Sequence, residues 1–252
     1  MIPNIIHFCF GMAEDFGGKP FSIFHYIAVK SAYEINKPGE IFFYHKYEPE
    51  GEWWEAAKPY LTLVKIEPPH SFKGRPLKHF AHKSDVVRLQ VLREKGGIYL
   101  DMDTVCKKSF GDLLDNKFVI GKEGKYFPKK LCNAVMLSEK NSEFVNLWLE
   151  EYRSFRSSGN DRYWAEHSVT VPYGLSKKHP ELLHIESYKS FHYPLYHSIS
   201  LKQLFVKNYD YKNAYCHHLW ENGSYEKYLK NLNKEYILNV NTTYNIIARK
   251  YL

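Results

Sequence analysis

Apolar and polar positions along the chain follow strand and helix periods in turn. An apolar run over residues 4–10, closed by Gly11, predicts a buried first strand. Phe24, Ile27, Ala28 and Ala32 carry a helical period through residues 21–35, which Asn36, Pro38 and Gly39 end. A second strand at 41–44, a short helix at 53–60 and a third strand at 61–66 follow, and Pro68 and Pro69 turn the chain. Val86, Val87, Leu89, Val91 and Leu92 then stripe a helix that Ser84 or Asp85 can cap, with Arg93 and Lys95 in its last turn. Gly96 and Gly97 stop it, and residues 98–100 form a short strand. Beyond a polar loop come strands at 118–121 and 133–137, a helix capped by Ser142 that reaches about Phe155, an irregular stretch over 163–180, and a helix from Tyr225. The alternation predicts an α/β fold: a mainly parallel sheet with helices on both faces.

Side chains alternate along a strand, so Asp101 and Asp103 project from one face at the C-terminal end of the 98–100 strand. Open α/β sheets bind ligands at that end. Two carboxylates so placed repel each other unless a cation lies between them, and Mg²⁺ or Mn²⁺ prefers such oxygen ligands and shares them with phosphates. An Asp-x-Asp triplet alone is weak evidence. Its setting here, behind an apolar strand, a double-Gly turn and a helix carrying Asp85 and Arg88, is specific.

The run SDVVRLQVLREKGGIYLDMD, residues 84–103, resembles the signature of the DXD-containing sugar transferases, the group of initiating α-mannosyltransferases, α-1,4-galactosyl-type enzymes and capsular polysaccharide transferases. It is similar, more distantly, to the catalytic domains of clostridial glucosylating toxins. IPNIIHFCFG near the start resembles the family's first strand, and HHLWENGSY, from His217, its closing motif.

The resemblance implies a single nucleotide-sugar-binding domain of GT-A, Rossmann-like type over residues 1–252, with residues 1–105 as the nucleotide-binding half and 106–252 as the acceptor half and C-terminal lid. It implies transfer of a hexose from a nucleotide-diphosphate sugar, UDP-sugar favoured, to a glycan or lipid-linked hydroxyl, with retention and with Mn²⁺ or Mg²⁺. Asp103 is the expected direct metal ligand, while Asp101 binds through water or holds the ribose and sugar hydroxyls. Asp85 and Arg88 are expected to orient the sugar, and Asn133 to stand near it. Phe10 fits the aromatic that stacks on the base, with His7 beside it on the first strand, where a core histidine is the competing reading. Over the diphosphate, His217, His218, Asn222 or Ser224 completes the metal shell, and Trp220 or Tyr225 covers the donor. Residues 163–180, rich in Pro, Gly and aromatics, are expected to help form the acceptor pocket. No clear nucleophile stands out; Glu166 and Glu221 are the generic carboxylates.

A chain of 252 residues, 44% hydrophobic, can bury a sizeable core. Its net charge of +7 favours an anionic partner: a nucleotide diphosphate, a phospholipid-linked acceptor or an anionic membrane surface contacted peripherally. Nucleic acid does not fit, because the basic residues never form a dense run. Cys9, Cys106, Cys132 and Cys216 lack a CxxC spacing and read as reduced thiols. The first residues lack the basic start and cleavage site of a secretory signal, and no run approaches a transmembrane length. A cytoplasmic enzyme of bacterial or viral type is the expectation.

Two other readings use the same residues. Asp101, Asp103 and Val105 also fit the strand-end motif of haloacid-dehalogenase-like phosphatases, although Asp112 follows too soon to supply their downstream acidic pair. A binder of nucleotide sugars without catalysis is the alternative from another class.

Overall fold

The computed structural model describes residues 1–124 and 130–252. The chain runs through β1 (Ile6–Cys9), α1 (Ile23–Asn36), β2 (Ile41–His45), α2 (Glu52–Ala57), β3 (Thr62–Lys65), a small hairpin of β4 (Ser71–Phe72) and β5 (Arg75–Pro76), and then α3 (Phe80–Lys95). It continues through β6 (Gly97–Leu100), β7 (Thr104–Cys106), β8 (Phe118–Lys122), β9 (Leu131–Ser138), α4 (Glu143–Glu151), α5 (Val171–Lys178), β10 (His184–Glu186) and β11 (Cys216–His218), with short helices between and after them. Seven strands make the main sheet in the order β10-β8-β9-β6-β1-β2-β3. β1 runs parallel to β2 and β6, β2 to β3, and β8 to β10, whereas β9 is antiparallel to both of its neighbours. This is the expected α/β arrangement.

Strand alternation builds a core on each face. Ile6, Phe8, Ile41, Phe43, Ile98 and Leu100 turn to the side covered by α1 and α2, where Val29, Ala32 and Trp54 meet them. Cys9, Phe42, Tyr44, Tyr99 and Met136 turn to the other side, under Val86 and Leu89 of α3 and Trp148 of α4. A third cluster joins Ile23, Phe24 and Ile27 of α1 to the C-terminal helices. The tight passage from α3 into β6 needs its glycines. Gly97 has φ 103°, and a Cβ there would stand 2.7 Å from Ile5 and 2.8 Å from His7.

Three expectations are corrected. α3 starts at Phe80, a turn before Ser84, because His79 accepts the Ala81 N–H at 3.2 Å and His82 packs on Phe155 and Trp164. That tertiary anchorage overrides a polar-looking first turn. The loop after Asp103 is instead a strand, β7, which pairs antiparallel with the distant β11. Residues 163–180 are largely helical, as a π turn over Glu166–Thr170 followed by α5. Pro172 falls in the first turn of α5, where its missing N–H costs nothing.

Candidate active site

A cleft of about 670 Å³ opens where β1 and β6 end and β9 begins. Its wall comes from α3, β6 and β9. Arg88, buried on α3, pairs Nη1 with Asp101 Oδ1 at 2.9 Å and donates from Nη1 to the Asn133 carbonyl at 3.0 Å. Its guanidinium lies over the Tyr99 ring, 4.5 Å from the centroid, and the Tyr99 hydroxyl donates to the same Asp101 oxygen at 2.9 Å. Asp85 sits one turn before Arg88 on α3 and accepts from Asn133 Nδ2 at 2.8 Å. Each charge in this wall therefore has a partner, as buried charge requires.

The floor is built by the turn after β6 and by β11. Thr104 N–H donates to the Asp101 carbonyl at 3.0 Å, which closes the turn and brings Asp103 beneath β11. Asp103 Oδ1 lies 3.2 Å from His218 Nε2, and Asp103 Oδ2 accepts the Glu221 N–H at 2.7 Å. Asp101, Asp103 and His218 each place a ligand atom within 4.8 Å of the others. Burial raises the Asp101 carboxyl above its usual range, against the pull of Arg88, and Asp103 adds to the rise. Burial acts on Asp103 in the same sense, but His218 and the Glu221 N–H outweigh it and hold this carboxyl at about 2. His218 would itself be lowered by burial, yet the neighbouring Asp103 carboxylate carries it well above the usual imidazole value. His218 Nδ1 is buried with no hydrogen-bond partner among the described residues. Two carboxylates and an imidazole whose Nε2 faces them fit a divalent cation.

The remaining expected residues divide. Phe10 lines the cleft and stacks on Phe16 at 5.6 Å. Trp220 lines it from the opposite side, in a left-handed backbone conformation with its indole N–H on the Pro194 carbonyl. Asn222 stands at the mouth, where its Oδ1 accepts from Lys19 Nζ at 2.6 Å instead of joining the carboxylates. Asp85 lies behind Asn133 and does not line the cleft, so it acts through Asn133 and Arg88.

Three expected site residues point elsewhere. His7 is fully buried under α3, between the Gly96 carbonyl at 2.7 Å and the Tyr44 hydroxyl at 3.2 Å, with burial lowering its pKa to about 4. It is the core histidine. His217 alternates to the face of β11 opposite His218 and bonds the Tyr193 carbonyl at 3.1 Å. Ser224 donates to the Leu219 carbonyl at 2.7 Å, inside its own turn. Tyr225 is buried against the C-terminal helices and does not line the cleft, whereas Trp220 does. Glu166 is held by Arg156 outside the cleft. The expected lid begins in β11, which is already paired into the fold, and from this segment His218 and residues from Trp220 to Gly223 line the cleft.

Sequence reasoning passed over several lining residues: Lys19, Phe80, Glu123, Cys132 and Tyr196. Each comes from a loop or an element end with no periodicity of its own. Trp164 and Ser168 do line the cleft from within the 163–180 stretch. All four cysteines are free and buried, and no described helix is long and apolar enough to cross a membrane.

The family described as "Glycosyltransferase sugar-binding region containing DXD motif" matches residues 31–120, from α1 to β8. Glucan organizing enzyme 1 of Cryptococcus neoformans is 35% identical over 265 residues, an alignment covering 100% of this chain and 71% of that protein. Toxin Afp18 of Yersinia ruckeri is 35% identical over 100 residues, which cover 37% of this chain and 5% of the toxin. Among solved structures, mouse xyloside xylosyltransferase 1 overlaps loosely, with a TM-score of 0.48 and 11% identity over 75% of this chain and 87% of that one. With the Asp-x-Asp turn at the base of the cleft and a curated relative aligned along its whole length, this chain belongs to the DXD-containing glycosyltransferases.

Proposed function

We propose that this glycosyltransferase moves a hexosyl group from a nucleotide-diphosphate sugar, with UDP-sugar as the favoured donor, to a hydroxyl of a glycan or lipid-linked acceptor. Anomeric configuration is retained, and Mn²⁺ or Mg²⁺ is held by Asp101, Asp103 and His218. The carrying observation is the convergence of those three groups, from two strands far apart in sequence, on the floor of the cleft. When bound, the cation supplies Lewis-acid stabilisation to the departing diphosphate.

The chain's own residues do the rest. Arg88 fixes Asp101, and the Glu221 N–H fixes Asp103, so neither carboxylate must reorganise when the donor arrives. Asp85 fixes Asn133, which presents its side chain to the sugar. Phe10 offers a flat face to the base, Trp220 covers the donor, and Lys19 at the mouth adds positive charge for the phosphates. Glu221 lines the cleft with its carboxylate 3.7 Å from His25. Glu166 is tied to Arg156 outside the cleft, and in this reading transfer follows a same-face route in which a departing phosphate oxygen accepts the acceptor's proton. Residues 1–105 serve the donor in this reading, while residues 106–252 add the acceptor side through Trp164, Ser168 and Tyr196.

The test is a panel of nucleotide sugars with Mn²⁺ and no acceptor, following slow release of the nucleoside diphosphate. Release from one donor, abolished by chelator, is expected. Equal release in excess chelator removes the metal from the reaction, and donor binding without release from any sugar makes the chain a binder.

A further inference from the structure

Beside the catalytic floor lies a second cluster. Cys132 at the start of β9, His192 after the short helix Tyr188–Phe191, and His218 on β11 bring one sulfur and two imidazoles within 4.8 Å of one another. All three are buried, His192 completely. Neither ring nitrogen of His192 has a hydrogen-bond partner among the described residues, nor does His218 Nδ1. A buried polar group left unpaired is destabilising, so three such nitrogens in one place require a reason. The site is also kept open for the ring. A Cβ at Gly121 would stand 3.0 Å from His192 Nε2 and 2.7 Å from Phe191.

We propose that Cys132, His192 and His218 form a second metal site, selective for a thiophilic dication such as Zn²⁺, with a fourth position supplied by water from the cleft that Cys132 and His218 both line. One sulfur and two imidazole nitrogens suit zinc, whereas Mg²⁺ and Mn²⁺ prefer oxygen. Binding forms one zinc–sulfur and two zinc–nitrogen bonds, and the protons of the Cys132 thiol and of His218 Nδ1 leave to solvent. The ion ties together three segments distant in sequence, and so clamps β11 and the residues after it onto the main sheet. His218 would reach this ion through Nδ1 while its Nε2 faces Asp103, so its ring bridges this site and the carboxylate pair.

Cobalt and zinc test this on the full chain. Chelator-stripped protein is titrated with Co²⁺ under anaerobic conditions, and a thiolate-to-cobalt charge-transfer band in the near ultraviolet should saturate at one equivalent. Zn²⁺ should bleach that band and raise the thermal midpoint. Cys132→Ser should lose both signals, while His192→Gln should weaken Zn²⁺ binding by at least about 10-fold. Asp103→Asn should keep the band, which separates this site from the carboxylate pair. Absence of the band in folded wild type overturns the proposal, as does its persistence in Cys132→Ser. Zinc-edge X-ray absorption of the wild type is independent of any variant's folding: one sulfur and two imidazoles support the site, and a shell without sulfur removes it.

Discussion

The two sides of the cleft treat buried charge in opposite ways. In the wall, Arg88, Asp85, Asp101, Tyr99 and Asn133 satisfy one another, with the guanidinium at the centre. On the floor, Asp103 has firm partners, but His218 and its neighbour His192 keep ring nitrogens with no partner among the described residues. The wall is complete without a ligand and serves to place things. The floor keeps ring nitrogens without partners among the described residues, and it is there that we propose an ion is held, with β11 contributing to its choice.

The sharpest break of that contrast is Asp103→Asn, which removes the charge that the floor sets against His218. Metal-dependent donor hydrolysis should fall by at least about 100-fold, with the circular dichroism spectrum retained and the thermal midpoint lowered by loss of the His218 pair. Wild-type turnover in this variant would take the floor out of the reaction.

Neighbouring histidines give the next test. His218→Gln should lower turnover by about 10- to 100-fold and weaken Mn²⁺ binding, whereas His217→Gln, on the other face of β11, should stay within about threefold. Steady-state rates against Mn²⁺ concentration check both. Similar losses in the two variants would mean that β11 contributes only packing.

In the wall, Arg88→Lys keeps the charge but cannot bridge Asp101 and the Asn133 carbonyl with one planar group. Transfer should drop by about tenfold, or roughly 1.4 kcal/mol. A change of less than about threefold would show that the wall needs only a positive charge.

The smallest effect on turnover is expected at Asp85→Ala, which leaves the Asn133 amide without its acceptor. Stability should fall by about 1–3 kcal/mol in urea titration, with a rise in donor KM larger than the change in kcat. An unchanged KM would reduce Asp85 to a purely structural partner.

How much of this was legible follows from the range of each interaction. The helical period from Val86 to Leu92, the double glycine and the apolar β6 are local signals, and they put Arg88, Asp101 and Asp103 within reach of one another before any fold was known. Asn133 was legible by resemblance, but its bond to Asp85 was not, because that depends on β9 lying antiparallel beside β6. The salt-bridge partners of Glu166 and the Lys19–Asn222 contact join surface segments whose sequences carry no pairing code.

The sequence by itself determined the order of strands and helices, the two apolar faces of the sheet and the carboxylate pair at a strand end, since periods of 2 and 3.6 residues and glycine stops act within a few residues. Only the tertiary structure decided between His217 and His218. Adjacent residues of a strand face opposite ways, and which of them meets Asp103 is fixed by the register of β11 on β7, where His218 stands opposite Thr104 and His217 opposite Val105. The same pairing turned an expected loop into β7 and set His218 beside Cys132 and His192. It joins strands more than a hundred residues apart, and no local pattern reports which strand a given one will meet.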